Sequence, residues 1–145
     1  MNWDEYFISI ADVVRNKSKD PSSKVGAVVV GLHNQIVSTG YNGFPRGIVQ
    51  TVIARWGRPV KYSFVVHAEA NAVYNAARTG VSLVGCTLYL FGFTVPCTEC
   101  SKAIIQSGIV RVVSKAYRGD PEWWTDDLIL SKALLLEAGV EVVAL

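Results

Sequence analysis

Long basic tracts are absent from the sequence. Charged residues make up only 18%, and 14 Lys and Arg against 12 Asp and Glu leave a formal net charge of +2. That excludes the electrostatic footprint of a dedicated nucleic-acid binder, and no nucleic-acid partner is expected. The N-terminus, MNWDEYFISIADVV, carries Asp4 and Glu5 early, with no basic stretch leading into an apolar one, so it does not read as a secretory signal. Apolar runs such as Val28–Val30 and Leu134–Leu136 fall far short of a membrane span. Cysteine is scarce: there are 3, an odd number, and Cys97 and Cys100 form a close pair. In a chain without an export signal this excludes a disulfide framework and favours metal or redox chemistry. The expectation is a cytoplasmic globular protein, with residues 1–145 forming one domain.

Apolar residues, by contrast, are abundant. They make up 50% of the chain, and the mean hydropathy is +0.28. A chain so short and so apolar predicts a deeply buried sheet, a surface shared between subunits of a homo-oligomer, or both. Trp3, Tyr6, Phe7, Ile10, Val13 and Val14 recur at helical spacing and predict an amphipathic helix over 3–14, ended by the polar stretch before Pro21. KVGAVVVG (24–31) and QIVSTGY (35–41) read as two strands of a hairpin. From Asn42 to about Ser63 the sequence predicts one long irregular loop, a length that tends to be functional inside compact domains. HAEANAVYNAART (67–79), followed by Gly80, predicts a helix. Beyond it come a strand (86–91), a helix from about Cys97, a strand (109–114), a helix (126–138) and a last strand (140–144). Strands alternating with helices are parallel, so the expectation is α/β: one mixed five-stranded sheet, antiparallel at its start and parallel in its last strands, with helices on both faces.

Three metal-ligand side chains stand at the starts of two predicted helices. His67 opens one; Cys97 and Cys100 lie in the first turn of the next, after Pro96. The i, i+3 spacing puts both sulfurs on one helical face. Proline suits the first helical turn, and the partial positive charge of a helix N-terminus favours thiolates. One nitrogen and two sulfurs leave tetrahedral Zn2+ one ligand short, which marks a catalytic site open to water. Glu69, two residues beyond His67, is the carboxylate available to move that water's proton. In mid-helix, positions i and i+2 would point apart, so this geometry requires His67 to diverge at the helix start. Cys86, in GCTLYL, reads as a small buried core residue.

HAE followed by PCTEC matches the H-x-E…P-C-x-x-C signature of zinc deaminases. With KVGAVVV, STGYNGFPRG, HAEANAVYNAAR, GCTLYL, PCTECSKAIIQSGI and EAGVEV in that order, the chain resembles the deoxycytidylate (dCMP) deaminases of the cytidine deaminase-like superfamily. The likeness covers nearly the whole chain and is weakest over 48–63 and 118–127. It implies a three-layer α/β/α fold, one Zn2+ per subunit, and hydrolysis of dCMP to dUMP and ammonia, with Glu69 carrying protons from water to N3 and the departing amine. It also implies substrate contacts from Asn42 of GYNG, from the backbone N–H of Ala68, and to phosphate from Ser22 or Ser23 and Tyr117. Asn42-Gly43 reads equally as turn chemistry. From the residues alone, Arg46 and Arg118 are alternative phosphate partners, because arginine presents a planar fork. Trp123 and Trp124 either close the pocket or pack the last helix or a subunit contact.

Members of that family often form hexamers, and many respond to dCTP and dTTP through the GYNG region. The segment Arg55–Ser63 (RWGRPVKYS) departs from the usual insertion and weakens the second expectation. Only His33 and Cys86 remain for a second metal, which the sequence therefore does not support. Ala70 stands where members often carry a larger residue, which leaves substrate preference open. The competing readings keep the chemistry and change the substrate, to 5-substituted dCMP, dCTP, a free base, a pteridine-like precursor or tRNA adenosine. A reading of another class is a non-catalytic, zinc-stabilised module with four closed ligands.

Overall fold

A capping box starts the first helix, α1 (Trp3–Arg15): the Asn2 side chain accepts the Glu5 N–H at 2.9 Å, and the Glu5 carboxylate accepts the Asn2 N–H at 3.0 Å. In the computed structural model, which describes residues 1–145, an antiparallel hairpin follows, β1 (Gly26–Val30) and β2 (Ile36–Tyr41). Next come α2 (Lys61–Phe64), α3 (Ala68–Thr79), β3 (Thr87–Gly92), α4 (Thr98–Gln106), β4 (Arg111–Ala116), α5 (Thr125–Glu137) and β5 (Glu141–Ala144). The strands form one sheet in the order β2-β1-β3-β4-β5, with β3 antiparallel to β1 and the last three strands parallel. This is the expected mixed five-stranded sheet. No helix is long and apolar enough to cross a membrane.

The sheet separates two cores. On one face Ala27, Val29, Leu88, Leu90 and Val112 pack with α3, α4 and α5; on the other Val28, Val30, Tyr89, Phe91 and Val113 pack with α1. β1 is buried along its whole length, which its run of small and β-branched side chains allows. Two glycines let helices approach on opposite faces. A Cβ at Gly26 would lie 2.1 Å from the Ala11 carbonyl oxygen of α1, and one at Gly40 would lie 2.3 Å from the Ala68 oxygen of α3.

That close approach brings only part of the expected stripe of α1 into the core, Phe7 with Ile10 and Val14. Phe7, Ile8 and Ala11 face the sheet, while Trp3, Tyr6 and Val13 are exposed. The small Ala11 fits against Gly26, and the aromatic residues cluster at the outer edge instead. The edge strand β2 is protected by α3, whose Asn75 and Asn71 amides donate to the Thr39 and Tyr41 carbonyls at 2.8 Å each. The segment expected to be wholly irregular after Asn42 contains a 3₁₀ turn, Ile53–Trp56, and the single turn of α2. It is anchored by Trp56, which stacks on Phe44 with centroids 4.1 Å apart.

Candidate active site

The helix beginning expected at His67 starts one residue later, and that shift resolves the geometry. His67 is the N-cap of α3, with extended backbone (φ −67°, ψ 156°), while Glu69 lies in the first turn. The two side chains therefore leave from differently oriented backbone, where a continuous helix would have sent them apart. Cys97 likewise is the N-cap of α4 (φ −69°, ψ 168°), with Cys100 in its first turn. The His67 Nδ1 stands 3.4 Å from Cys97 Sγ and 3.5 Å from Cys100 Sγ. Tetrahedral Zn2+ with ordinary Zn–N and Zn–S lengths separates a nitrogen from a sulfur ligand by about 3.5 Å. All three donor atoms lie within 4.8 Å of one another, so the group could hold one zinc ion. Three protein donors would leave the fourth position of a bound zinc ion open to water, as in catalytic zinc sites.

A metal-ligating N-cap leaves helix-end N–H groups without their usual Ser, Thr or Asp partner. For α4 the partner comes from α5: Asp127 accepts the Thr98 N–H at 3.0 Å and the Thr98 hydroxyl at 2.7 Å. Ser131, fully buried in α5, donates to the Pro96 carbonyl just before Cys97. Sequence inspection missed both residues, because neither belongs to a local motif.

The charges at the site perturb one another. Burial pushes the Glu69 carboxyl up to about 7, the negative Cys97 adding to this and the charge of His67 opposing it. Cys97 is lowered to about 4, chiefly because the Cys100 thiol donates to it, with His67 also stabilising the thiolate. Cys100 is raised by its bond to Cys97 and by burial. His67 rises to about 9, mainly through its bond to Cys97. Binding of a divalent cation displaces protons shared in this way.

A cleft opens beside this cluster, with His67, Ala68 and Glu69 among its lining residues. Ala68 lies at the first helical position, so its N–H has no intrahelical partner. Asn42 and Ser23 line the same cleft. The Asn42 amide donates to the Ser23 carbonyl at 2.8 Å and to Asp20 at 3.2 Å, and its Oδ1 accepts the Val25 N–H at 2.9 Å. Asn42 thus fastens the end of β2 to the segment before β1, and its Oδ1 keeps one lone pair. Trp123 and Trp124 form part of the cleft wall, and Trp124 packs against both His67 and Phe93.

Two basic residues of the cleft, Lys61 and Arg58, escaped sequence reasoning. Lys61 is buried and pairs with the fully buried Asp20 carboxylate at 2.6 Å, and it also donates to Ser22 Oγ at 3.2 Å. Although burial opposes ionisation, Lys61 and the N–H groups of Ser22 and Ser23 hold the Asp20 carboxyl below its ordinary range. Arg58 also lines the cleft. Both lie in the segment that departs from the family pattern, where no motif could single them out.

Other expected contacts fall elsewhere. Tyr117 does not reach the cleft lining: its ring stacks on Phe91 at 6.0 Å, and Phe91 belongs to the core on the α1 face. Arg46 points away and donates to Asn75 at 2.6 Å. Arg118 donates to the Ser22 carbonyl at 2.9 Å and to Ser23 Oγ at 3.0 Å, which staples the loop after β4 to the loop before β1. Cys86 is buried in the core, apart from the metal group, and His33 is exposed on the hairpin turn.

Comparison with known proteins finds relatives over nearly the whole chain. The family described as the cytidine and deoxycytidylate deaminase zinc-binding region matches residues 1–116. Human deoxycytidylate deaminase is 40% identical over 97% of this chain and 78% of its own length. A probable deoxycytidylate deaminase of Drosophila melanogaster is 40% identical over 97% of this chain and 71% of its own. The crystal structure of the dCMP deaminase of cyanophage S-TIM5 in complex with dCMP and dUMP superposes with a TM-score of 0.77 at 28% identity, covering 97% of this chain and 95% of that one. With the matched region spanning both helix starts that carry His67, Glu69, Cys97 and Cys100, the chain belongs to the cytidine and deoxycytidylate deaminase family.

Proposed function

We propose that the protein, acting as one domain of 145 residues, hydrolyses dCMP to dUMP and ammonia. The observation that carries this reading is the buried Glu69 beside a three-donor group that could hold a metal ion, with His67 and Glu69 both lining one cleft. Its 40% identity to a deoxycytidylate deaminase over nearly the whole chain supports the choice of substrate. His67, Cys97 and Cys100 would hold the zinc ion. When bound, zinc supplies Lewis acidity that lowers the pKa of water from 15.7 to about 7.

Glu69 does the proton work. Its carboxylate accepts a proton from the attacking water as the new C–O bond forms at C4, and delivers it to N3. It then takes the remaining hydroxyl proton and hands it to the C4 amine. The C–N bond breaks, ammonia leaves, and N3 keeps its proton in the uracil product. A buried carboxyl held next to the attacking water suits a group that both accepts and returns protons. The Ala68 N–H and the free lone pair of Asn42 Oδ1 orient the nucleotide, and Ser23 stands where the sugar-phosphate side enters. Tyr117 is given no substrate contact.

Incubation with zinc and dCMP should shift the pyrimidine ultraviolet spectrum and release ammonia. Glu69→Gln should cut kcat by about 10²–10⁴-fold or more while zinc stays bound. Absence of turnover on dCMP, 5-substituted dCMP and dCTP would refute the substrate reading. The same reading puts the enzyme in the cytoplasm and includes assembly into a homo-oligomer. Exposed Trp3, Ile129, Leu130 and Leu136 support the assembly, and a monomer in sedimentation at micromolar concentration would exclude it. Control by dCTP and dTTP is the further family trait to assay, as a change in the dCMP saturation curve.

A further inference from the structure

We infer that Arg58 is the residue by which this enzyme distinguishes an anionic nucleotide from an uncharged nucleoside. The inference rests on the nucleotide-deaminase reading above. Four side chains of the cleft carry or take up full charge besides His67, and three are already engaged. Asp20 and Lys61 neutralise each other at 2.6 Å, and Glu69 serves the proton transfers. Arg118 is outside the cleft lining and spends its guanidinium on the Ser22 carbonyl and Ser23 Oγ. Arg58 makes no ion pair and no hydrogen bond; its guanidinium rests over the Trp123 ring, 5.7 Å from the centroid, across the cleft wall.

The backbone beneath Arg58 is fixed on both sides. Two residues before it, Trp56 is buried against Phe44 and donates its ring N–H to the Gln50 carbonyl at 2.8 Å. Three residues after it, Lys61 is tied to Asp20 and Ser22. A side chain with five donors therefore stands on an anchored segment, held only by a cation–π contact with an exposed tryptophan. Such contacts are weak when exposed, about 0.5–1 kcal/mol. An arriving phosphate offers a bidentate, charge-assisted partner, which is the stronger interaction. Arg58 exchanges the Trp123 face for the phosphate oxygens, and the uncharged nucleoside has nothing to offer in exchange.

The test compares dCMP with deoxycytidine as substrates, and dUMP with deoxyuridine as ligands, on the zinc-loaded protein. In Arg58→Ala the ratio of kcat/KM for dCMP to that for deoxycytidine should fall by about 10- to 100-fold, the worth of lost hydrogen bonds to a charged group. The fall should lie in KM, and Arg58→Lys should restore only part of it, because an ammonium lacks the fork. Binding of dUMP should quench or shift tryptophan fluorescence as Arg58 leaves Trp123, and Arg58→Ala should weaken dUMP far more than deoxyuridine. Equal losses for the phosphorylated and unphosphorylated ligands, or an unchanged ratio, would overturn the assignment. The binding arm needs no turnover, so a wild-type protein that binds dUMP through Arg58 and deaminates nothing would refute the function above and leave Arg58 in its role.

Discussion

Removing the Asp127 carboxylate separates helix stability from metal geometry. Asp127 accepts the N–H and the hydroxyl of Thr98 at 3.0 and 2.7 Å, and so caps a helix whose own N-cap residue is the metal-facing Cys97. Losing an N-cap costs about 1 kcal/mol, within a range of roughly 0.5–2, and the negative charge near a helix N-terminus adds about 0.3–1 kcal/mol. Asp127→Ala should therefore destabilise the fold by about 1–2 kcal/mol, at roughly 2–4 °C of Tm for each kcal/mol in a chain of this size. The same loss frees the turn that aims Cys97, and partners of this kind typically contribute 10–100-fold to metal affinity. Tm should be measured with and without zinc at one fixed free-zinc concentration, and the zinc Kd by competition with a chromogenic chelator. A tenfold weaker Kd removes about 1.4 kcal/mol of the zinc-dependent stabilisation, so the loaded form should lose more Tm than the metal-free form. Asp127→Asn keeps an acceptor without the charge and should fall between the two. Equal Tm losses in both forms, with an unchanged Kd, would show that Asp127 caps the helix and does nothing for the metal group.

Lys61→Met leaves the Asp20 carboxylate buried without its cation, and removing one partner of a buried pair costs about 3–5 kcal/mol. Chemical denaturation should show that loss, and Lys61→Met combined with Asp20→Asn should recover part of it; a single variant as stable as wild type would contradict the buried pair. Acid stability follows from the two depressed carboxyls. Asp4 is lowered chiefly by its bond to Arg111, and Asp20 by Lys61 and the Ser22 and Ser23 amides against the opposing effect of burial. Their folded pKa values lie below the unfolded ones, so their stabilisation is complete above the ordinary carboxylate range and is lost as pH falls through the folded values. Tm should be level with respect to these groups above about pH 5 and drop below about pH 4, and Asp4→Asn should flatten part of the drop.

Much of the site was legible from local spacing. His67, Glu69, Cys97 and Cys100 sit within two short motifs, and a metal-ligand set with a nearby carboxylate is a pattern that residue types and intervals reveal. The sheet was legible for a similar reason: β-branched runs and helical periodicity are properties of neighbours in the chain, and alternation of the two dictates parallel pairing. Even there a one-residue difference mattered. The predicted helix at His67 begins at Ala68, and the extended backbone of His67 is what lets its ring reach the two thiols while Glu69 also lines the cleft.

The tertiary structure alone decided which polar residues meet. Asp20 and Lys61 belong to segments far apart in the chain, as do Thr98 and Asp127, and no periodicity links them. Ser23 and Asn42 were foreseen and reach the cleft, whereas Tyr117 was foreseen and packs on the α1 face because its partner Phe91 points there. The apolar stripe of α1 enters the core only in part: Phe7 is buried and Ile10 and Val14 pack against the core, while Gly26 of the sheet seats Ala11 and leaves Trp3, Tyr6 and Val13 exposed. The sequence by itself determined the candidate metal-donor group, the carboxylate beside it and the succession and direction of the strands, because each is written in residues close together along the chain. The folded structure decided what lines the cleft, because charge pairing, capping and close packing join residues that only the fold brings within 3 or 4 Å of one another.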